Sequence, residues 1–230
     1  MFISIIIPTL NEEQQIGSLL KFLSNHPDKN EFEVIIVDGG STDKTRTLVS
    51  QFPVKVESSK ECSRACQMNL GAKHAKGNIL YFVHADVQLV DSFVYDIKES
   101  VNQGYGSGCY RFKFDNPPNP LLHVNGFFTR FPFKWCRGGD QTLFVTKECF
   151  EKLGGFDEEY VIMEDYDFLD RMEEVSVSFK IIPKSVKVSA RKYENNSYFK
   201  VQKANYKAMK MYKSGEMPAE IKKFYKLELL

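Results

Sequence analysis

The strongest constraint on this chain is an apolar run near its start. Ile3-Ser4-Ile5-Ile6-Ile7 is an almost unbroken β-branched segment closed by Pro8, and a strand so uniformly apolar has to be covered on both faces, as in a parallel sheet. Past the turn Pro8-Thr9-Leu10-Asn11, Ile16, Leu19, Leu20 and Leu23 recur at i, i+3, i+4 and i+7, which predicts a helix from about Glu12 to Ser24 with one apolar face. The unit then repeats. Phe32 to Asp38 reads as a second buried strand and runs into Gly39-Gly40-Ser41-Thr42-Asp43, where Ser41 or Thr42 is placed to cap a helix carrying Leu48, Val49 and Phe52. Val54-Lys55-Val56 predicts a short strand, Cys62 to Lys76 a helix stopped by Gly77, and Ile79 to Val83 a fourth strand that delivers His84-Ala85-Asp86 at its carboxyl end. This alternation predicts an α/β doubly wound sheet, a fold whose ligands sit beyond the carboxyl ends of the strands. Asp38 and Asp86 both fall there.

The second half changes character. Cys109 to Phe114 alternates strictly, the mark of a strand with one wet face, so the later sheet is expected to be mixed or antiparallel. Asn116-Pro117-Pro118-Asn119-Pro120 reads as a loop; Thr142 to Val145, Val177 to Ile182 and Lys187 to Ala190 read as strands, with helices near Glu148, near Asp165 and over Tyr198 to Lys213. The 230 residues, 43% hydrophobic and 27% charged, suit one globular domain. Thirty-one basic residues balance thirty acidic ones, so no bulk charge draws the chain to nucleic acid or an anionic membrane. Five cysteines without a C-x-x-C pair argue against a disulfide framework and a zinc site, and point to the cytoplasm. No apolar run is long enough to span a bilayer, and the N-terminus lacks the basic region and cleavage site of a secretory leader.

Several residues carry possible chemistry. The Asp38 carboxylate can accept an N–H from a base or a ribose hydroxyl, but equally caps an Asp-Gly turn. Asp86 can offer a carboxylate to Mg²⁺ or Mn²⁺, which would also need phosphate oxygens; taken alone it too reads as a turn cap, and His84 as a structural histidine. If a helix starts at Met163-Glu164-Asp165, Asp165 shares its face with Phe168, Leu169 and Met172, an interior address for an acid suited to a general base; the alternative is that Glu164, Asp165 and Asp167 complement the helix dipole. Arg64 can neutralise a diphosphate. Gly138-Gly139-Asp140-Gln141 either lines an acceptor pocket or makes a tight turn. Phe127 to Trp135 mixes aromatics with cations, as in sugar stacking, a lipid-water interface or packing under a loop. Lys200 to Lys226 reads as a docked amphipathic helix or a weak membrane contact.

Taken in order, Ser4 to Glu13, Val37 to Asp43, Asn69 to Ala72, His84-Ala85-Asp86, Leu153-Gly154-Gly155-Phe156 and Met163-Glu164-Asp165 resemble the family 2 glycosyltransferases, in particular their short bacterial branch with a GT-A fold. The resemblance implies a GT-A (nucleotide-diphospho-sugar transferase) fold, a Rossmann-like mixed sheet with helices on both faces. It implies a single domain over residues 1–230, with a donor half over about 1–104 and an acceptor half over about 105–230. It assigns Pro8, Thr9, Glu12, Asp38, Arg64 and Asp86 to a nucleotide-sugar donor, with Asp38 reading the base and Arg64 near the uridine or diphosphate, and Asp86 also to Mn²⁺ or Mg²⁺. Asp165 falls to the catalytic base, and Asp140, Gln141 and Glu164 to the side of a hydroxyl acceptor, lipid-linked or a small glycan. The implied reaction is an inverting, metal-dependent transfer from a UDP-sugar. His84 departs from the family by replacing the first acid of its D-x-D element, Gly39 replaces a frequent second Asp, and the missing Q-x-x-R-W element points to a non-processive enzyme. Two other classes compete: a catalytically silent nucleotide-sugar or glycan-binding module, and a nucleotidyltransferase, whose Gly-rich basic loop this chain lacks.

Overall fold

The computed structural model describes residues 1–59, 63–134, 137 and 141–229. Its strands are β1 (Ile3–Thr9), β2 (Phe32–Asp38), β3 (Lys55–Ser58), β4 (Ile79–Phe82), β5 (Ser107–Phe114), β6 (Leu143–Thr146) and β7 (Phe179–Val188). They form one mixed sheet in the order β3-β2-β1-β4-β6-β5-β7. The first four are parallel; β6 runs antiparallel to β4 and β5, and β7 parallel to β5. The helices are α1 (Ile16–Ser24), α2 (Thr45–Val49), α3 (Arg64–His74), α4 (Phe93–Asn102), α5 (Leu122–Phe128), α6 (Lys147–Lys152), α7 (Glu164–Glu174), α8 (Tyr198–Lys213) and α9 (Pro218–Leu229).

The two-residue period of β1 sorts its side chains into two cores. Ile3, Ile5 and Ile7 pack with Leu19, Leu20 and Leu23 of α1 and Phe93 and Ile97 of α4. Ile6 faces the other way, toward Ala65, Met68 and Ala72 of α3, Phe150 of α6 and Phe168 of α7. All four isoleucines are fully buried, each contributing about 1.5–3 kcal/mol by removal from water. Helices therefore cover both faces of the sheet.

The structure departs from the sequence expectation at several elements. Pro8 lies within β1, not in a turn. It is tolerated because the β1–β4 register ends at the Ile6–Phe82 pair, so the N–H that Pro8 lacks would have pointed past the end of β4. The two late strands are one, β7, with a register shift between the Tyr110–Ile182 and Arg111–Ser185 pairs that takes Pro183 out of the ladder. β5 is buried on both faces as far as Tyr110; alternation survives only at Arg111 and Lys113. Helices α4 and α5 were not legible, and the basic C-terminal segment is two helices, broken where Gly215 takes φ 72°.

α3 lies close on the sheet because Gly71 has no side chain: a Cβ there would run into Ile6 Cγ2 and approach Val37 Cγ2 to 3.2 Å. Gly71→Val should therefore overpack this contact and lower stability by about 1–3 kcal/mol, read as a lower midpoint in thermal denaturation with the circular dichroism of the folded state retained.

Candidate active site

The loops after β1 and β2 are laced together by reciprocal side-chain to backbone hydrogen bonds. The amides of Asn11, Glu12 and Glu13 donate to Ser41 Oγ (3.0 Å), Thr45 Oγ1 (2.8 Å) and Asp43 Oδ2 (3.1 Å). In return, the amides of Thr42 and Lys44 donate to Asn11 Oδ1 (2.9 Å) and Glu13 Oε2 (2.8 Å). Ser41 and Thr42 thus bind the first loop and do not cap α2, whose N-cap is Lys44; Asp43, just before it, accepts from the Thr45 amide at 2.9 Å. Asn11 supports this lattice in the left-handed region, at φ 55°.

Asp38 ends β2 almost fully buried, and its carboxylate accepts from the amides of Gly40 (3.2 Å) and Ser41 (3.2 and 3.3 Å). The turn-capping role is therefore real, and the carboxylate keeps acceptor capacity beyond it. Arg46 Nε stands 4.0 Å away. Thr9, beside Asp38 in register, is held by Gln67 of α3, whose amide donates to the carbonyls of Thr9 (2.9 Å) and Val37 (2.7 Å).

Glu12 points across the mouth of the sheet to Arg191, which grips it through Nη1 (2.8 Å) and Nη2 (2.6 Å). The same guanidinium lies 3.5 Å from Asp86 Oδ2. Arg191 opens a 3-10 turn just past β7; the segment holding Asp86 is joined to β7 by paired backbone bonds between Gln88 and Lys187. Nothing in the sequence analysis singled out Arg191, although a cation immediately after an apolar strand end was a signal that could have been followed.

Arg64, first residue of α3, contacts Glu164 Oε1 through Nε at 3.5 Å. That contact brings the first turn of α7 to the helix that stitches β1 to β2. Here the facing differs from expectation: Glu164 is the buried acid, sharing a side with Phe168 and Met172, and Asp165 is half-buried beside it. Phe168 and Met172 are buried as the spacing requires, and Glu164 stands one turn before Phe168 on the same side; Met163 enters the helix in the left-handed region, at φ 69°, an uncommon conformation for a non-glycine residue. Asp167 and Arg171 fasten α7 to the Leu153-Gly154-Gly155 turn, Arg171 donating to Asp167 Oδ2 at 2.6 Å and to the carbonyls of Leu153 and Gly155.

Asp140 lies outside the described residues, as do Cys62, Trp135, Gly138 and Gly139. Gln141 is buried, and its Oε1 takes a weak bond from Cys109 Sγ at 3.8 Å. It is not drawn into the contacts that link Asp38, Asp86 and Glu164. Phe127, Phe128, Phe131 and Phe133 pack ring against ring, with Arg130 over Phe127 at 3.9 Å.

Among the described residues no group of three or more His, Cys, Asp or Glu is placed to hold a metal ion. A hard divalent cation takes about six oxygens. Asp86, with Glu12 across the same guanidinium, fits such a cation only when phosphate oxygens complete its shell.

Residues 4–150 match the family described as Glycosyl transferase family 2. This chain belongs to that family. It is 32% identical to an uncharacterized glycosyltransferase of Haemophilus influenzae over 185 residues, which cover 73% of this chain and 60% of that protein. It is 30% identical to a dolichol-phosphate mannosyltransferase of Pyrococcus furiosus over 45% of this chain and 31% of that one. The chain thus spans less than two thirds of the length of either relative. Among solved structures of the GT-A fold, the mannosyltransferase PcManGT from Pyrobaculum calidifontis, in complex with GDP-Man and Mn²⁺, matches with a TM-score of 0.65 at 18% identity, over 99% of this chain and 68% of that one. S. aureus TarS in complex with UDP-GlcNAc matches with a TM-score of 0.62 at 21% identity, over 82% and 58%.

Gln67→Leu keeps the bulk of this family member's α3 and removes both bonds to the strand ends. It should cost about 2 kcal/mol at roughly 1 kcal/mol per bond, measurable as a lower denaturant midpoint at unchanged slope.

Proposed function

We propose that this chain moves one sugar from a nucleotide-sugar donor, a UDP-sugar, to an acceptor hydroxyl in the cytoplasm, non-processively and with inversion at the anomeric carbon. The observation that carries the reading is the Arg64–Glu164 contact, which joins the start of α7, where Asp165 follows Glu164, to the start of α3. Family membership supports the donor class, and the nucleotide-sugar complexes of TarS and PcManGT support its chemistry.

In this mechanism Pro8, Thr9, Glu12 and Asp38 cradle the nucleoside, while Asp86 and Arg64 border the diphosphate. Asp165 takes the proton of the acceptor hydroxyl as that oxygen attacks the anomeric carbon. The bond from that carbon to the diphosphate oxygen breaks, and the nucleoside diphosphate leaves with the electron pair. When bound, Mn²⁺ or Mg²⁺ supplies charge neutralisation for the departing diphosphate. Glu164 and Gln141, with Asp140, belong to the acceptor side.

A catalytically silent nucleotide-sugar-binding module is the second reading, favoured by the fact that Arg191 already matches the Asp86 charge. A donor panel assayed with Mn²⁺ for nucleoside diphosphate release separates the two. Turnover that falls about 10²- to 10⁴-fold in Asp165→Asn, with donor binding retained, supports the transferase; binding without turnover on any donor supports the module; undiminished turnover in the variant removes Asp165 as the base. Asp86→Asn should weaken UDP binding in calorimetry with Mn²⁺ present and leave metal-free binding little changed.

A further inference from the structure

The near-neutral chain is electrically lopsided. Residues 191–230 hold ten lysines and arginines against four acids, whereas the other 190 residues hold twenty-one against twenty-six. The excess concentrates on α8, which has five lysines and no acid in sixteen residues. Phe199, Lys203, Tyr206, Lys210 and Lys213 recur at i, i+4, i+7, i+11 and i+14, so they form one stripe, flanked by Lys200 and Lys207. Every one of these side chains is exposed, Phe199 by 74% and Tyr206 by 73%, while Val201, Ala204 and Ala208 bury the opposite side. A helix face that sets two large aromatics among lysines has the chemistry of an interfacial helix: rings enter the headgroup layer and ammonium groups meet lipid phosphates.

We infer that this face of α8 docks the protein on an anionic lipid bilayer. No helix of the described residues is long and apolar enough to cross a membrane, and the contact proposed is one made by the exposed face of α8. Its position gives it a consequence for the site. Tyr212 Oη donates to Asp170 of α7 at 2.7 Å, and Tyr198 Oη to Asn125 of α5 at 3.0 Å. α8 is therefore braced against the helix whose first turn carries Asp165, and docking would hold that helix at a fixed height over the headgroups. The inference rests on the charge and exposure of α8 and stands apart from the donor and base assignments.

The test is co-sedimentation of the full chain with vesicles of equal parts phosphatidylcholine and phosphatidylglycerol, and with phosphatidylcholine alone. Pelleting is expected with the anionic vesicles only, and should decline as salt is added. Lys203→Glu combined with Lys210→Glu should lower partitioning by at least about tenfold, since each basic residue near such a surface is worth roughly a fivefold change. Phe199→Ser with Tyr206→Ser should weaken it with the salt dependence kept. Equal pelleting on neutral vesicles, no pelleting, or a charge-reversed variant that pellets like the unmodified chain would each overturn the inference. A chain that ignores both vesicles and self-associates in light scattering would give the stripe to a second copy instead.

Discussion

Backbone amides of one loop, answered by side chains of another, hold the mouth of this sheet in shape. Five such bonds join the segments after β1 and β2. Each satisfies an N–H that no strand or helix would otherwise pair, and together they leave neither loop free to move without the other. The side chain of Glu12 is the product of that arrangement. Its own amide is fixed by Thr45, so its carboxylate is aimed outward, where Arg191 takes it with two bonds. Charged groups separated by 179 residues in the chain thereby share one point in space.

The two halves of the sheet divide the labour. Parallel strands β1 and β2 end together at Thr9 and Asp38, and the shorter β4 ends opposite Ile6, so that the segment after it carries Asp86 beyond the same carboxyl ends. The antiparallel and returning strands β6, β5 and β7 bring groups from far along the chain to that edge, Arg191 from the end of β7 among them. α3 joins the two, with Gln67 on the strand ends and Arg64 on α7. Its close seat over Gly71 is what lets a side chain as short as glutamine reach two strand carbonyls at once.

The parallel half was legible because its signals are local. Three apolar runs, a 3.6-residue period and glycine-rich turns identify β1, β2, β4 and α1 without knowledge of what they touch. The later elements were harder because their patterns depend on neighbours. β5 reads as half-wet although its first four residues are buried on both faces, and β7 reads as two strands because Pro183 cannot join a ladder and only a register shift absorbs it. At the site, Asp38 and Asp86 were placed by strand ends, which sequence reveals. That Glu164 is the more buried of the two acids was not legible, because Glu164 and Asp165 both flank the Phe168–Met172 side of α7 at helical spacing and the Arg64 partner that distinguishes them is a hundred residues away.

The sheet is open, with β3 and β7 at its two margins. β3 has only four residues, among them Lys55 and Glu57, and β7 carries Lys180, Lys184 and Lys187 together with the displaced Pro183. A short charged strand and a bulged, proline-containing one are poor templates for adding another chain's backbone. The fold therefore keeps its unpaired amides from recruiting neighbours into fibrils or swapped strands, so that the protein can be crowded against copies of itself on a surface without polymerising through its edges.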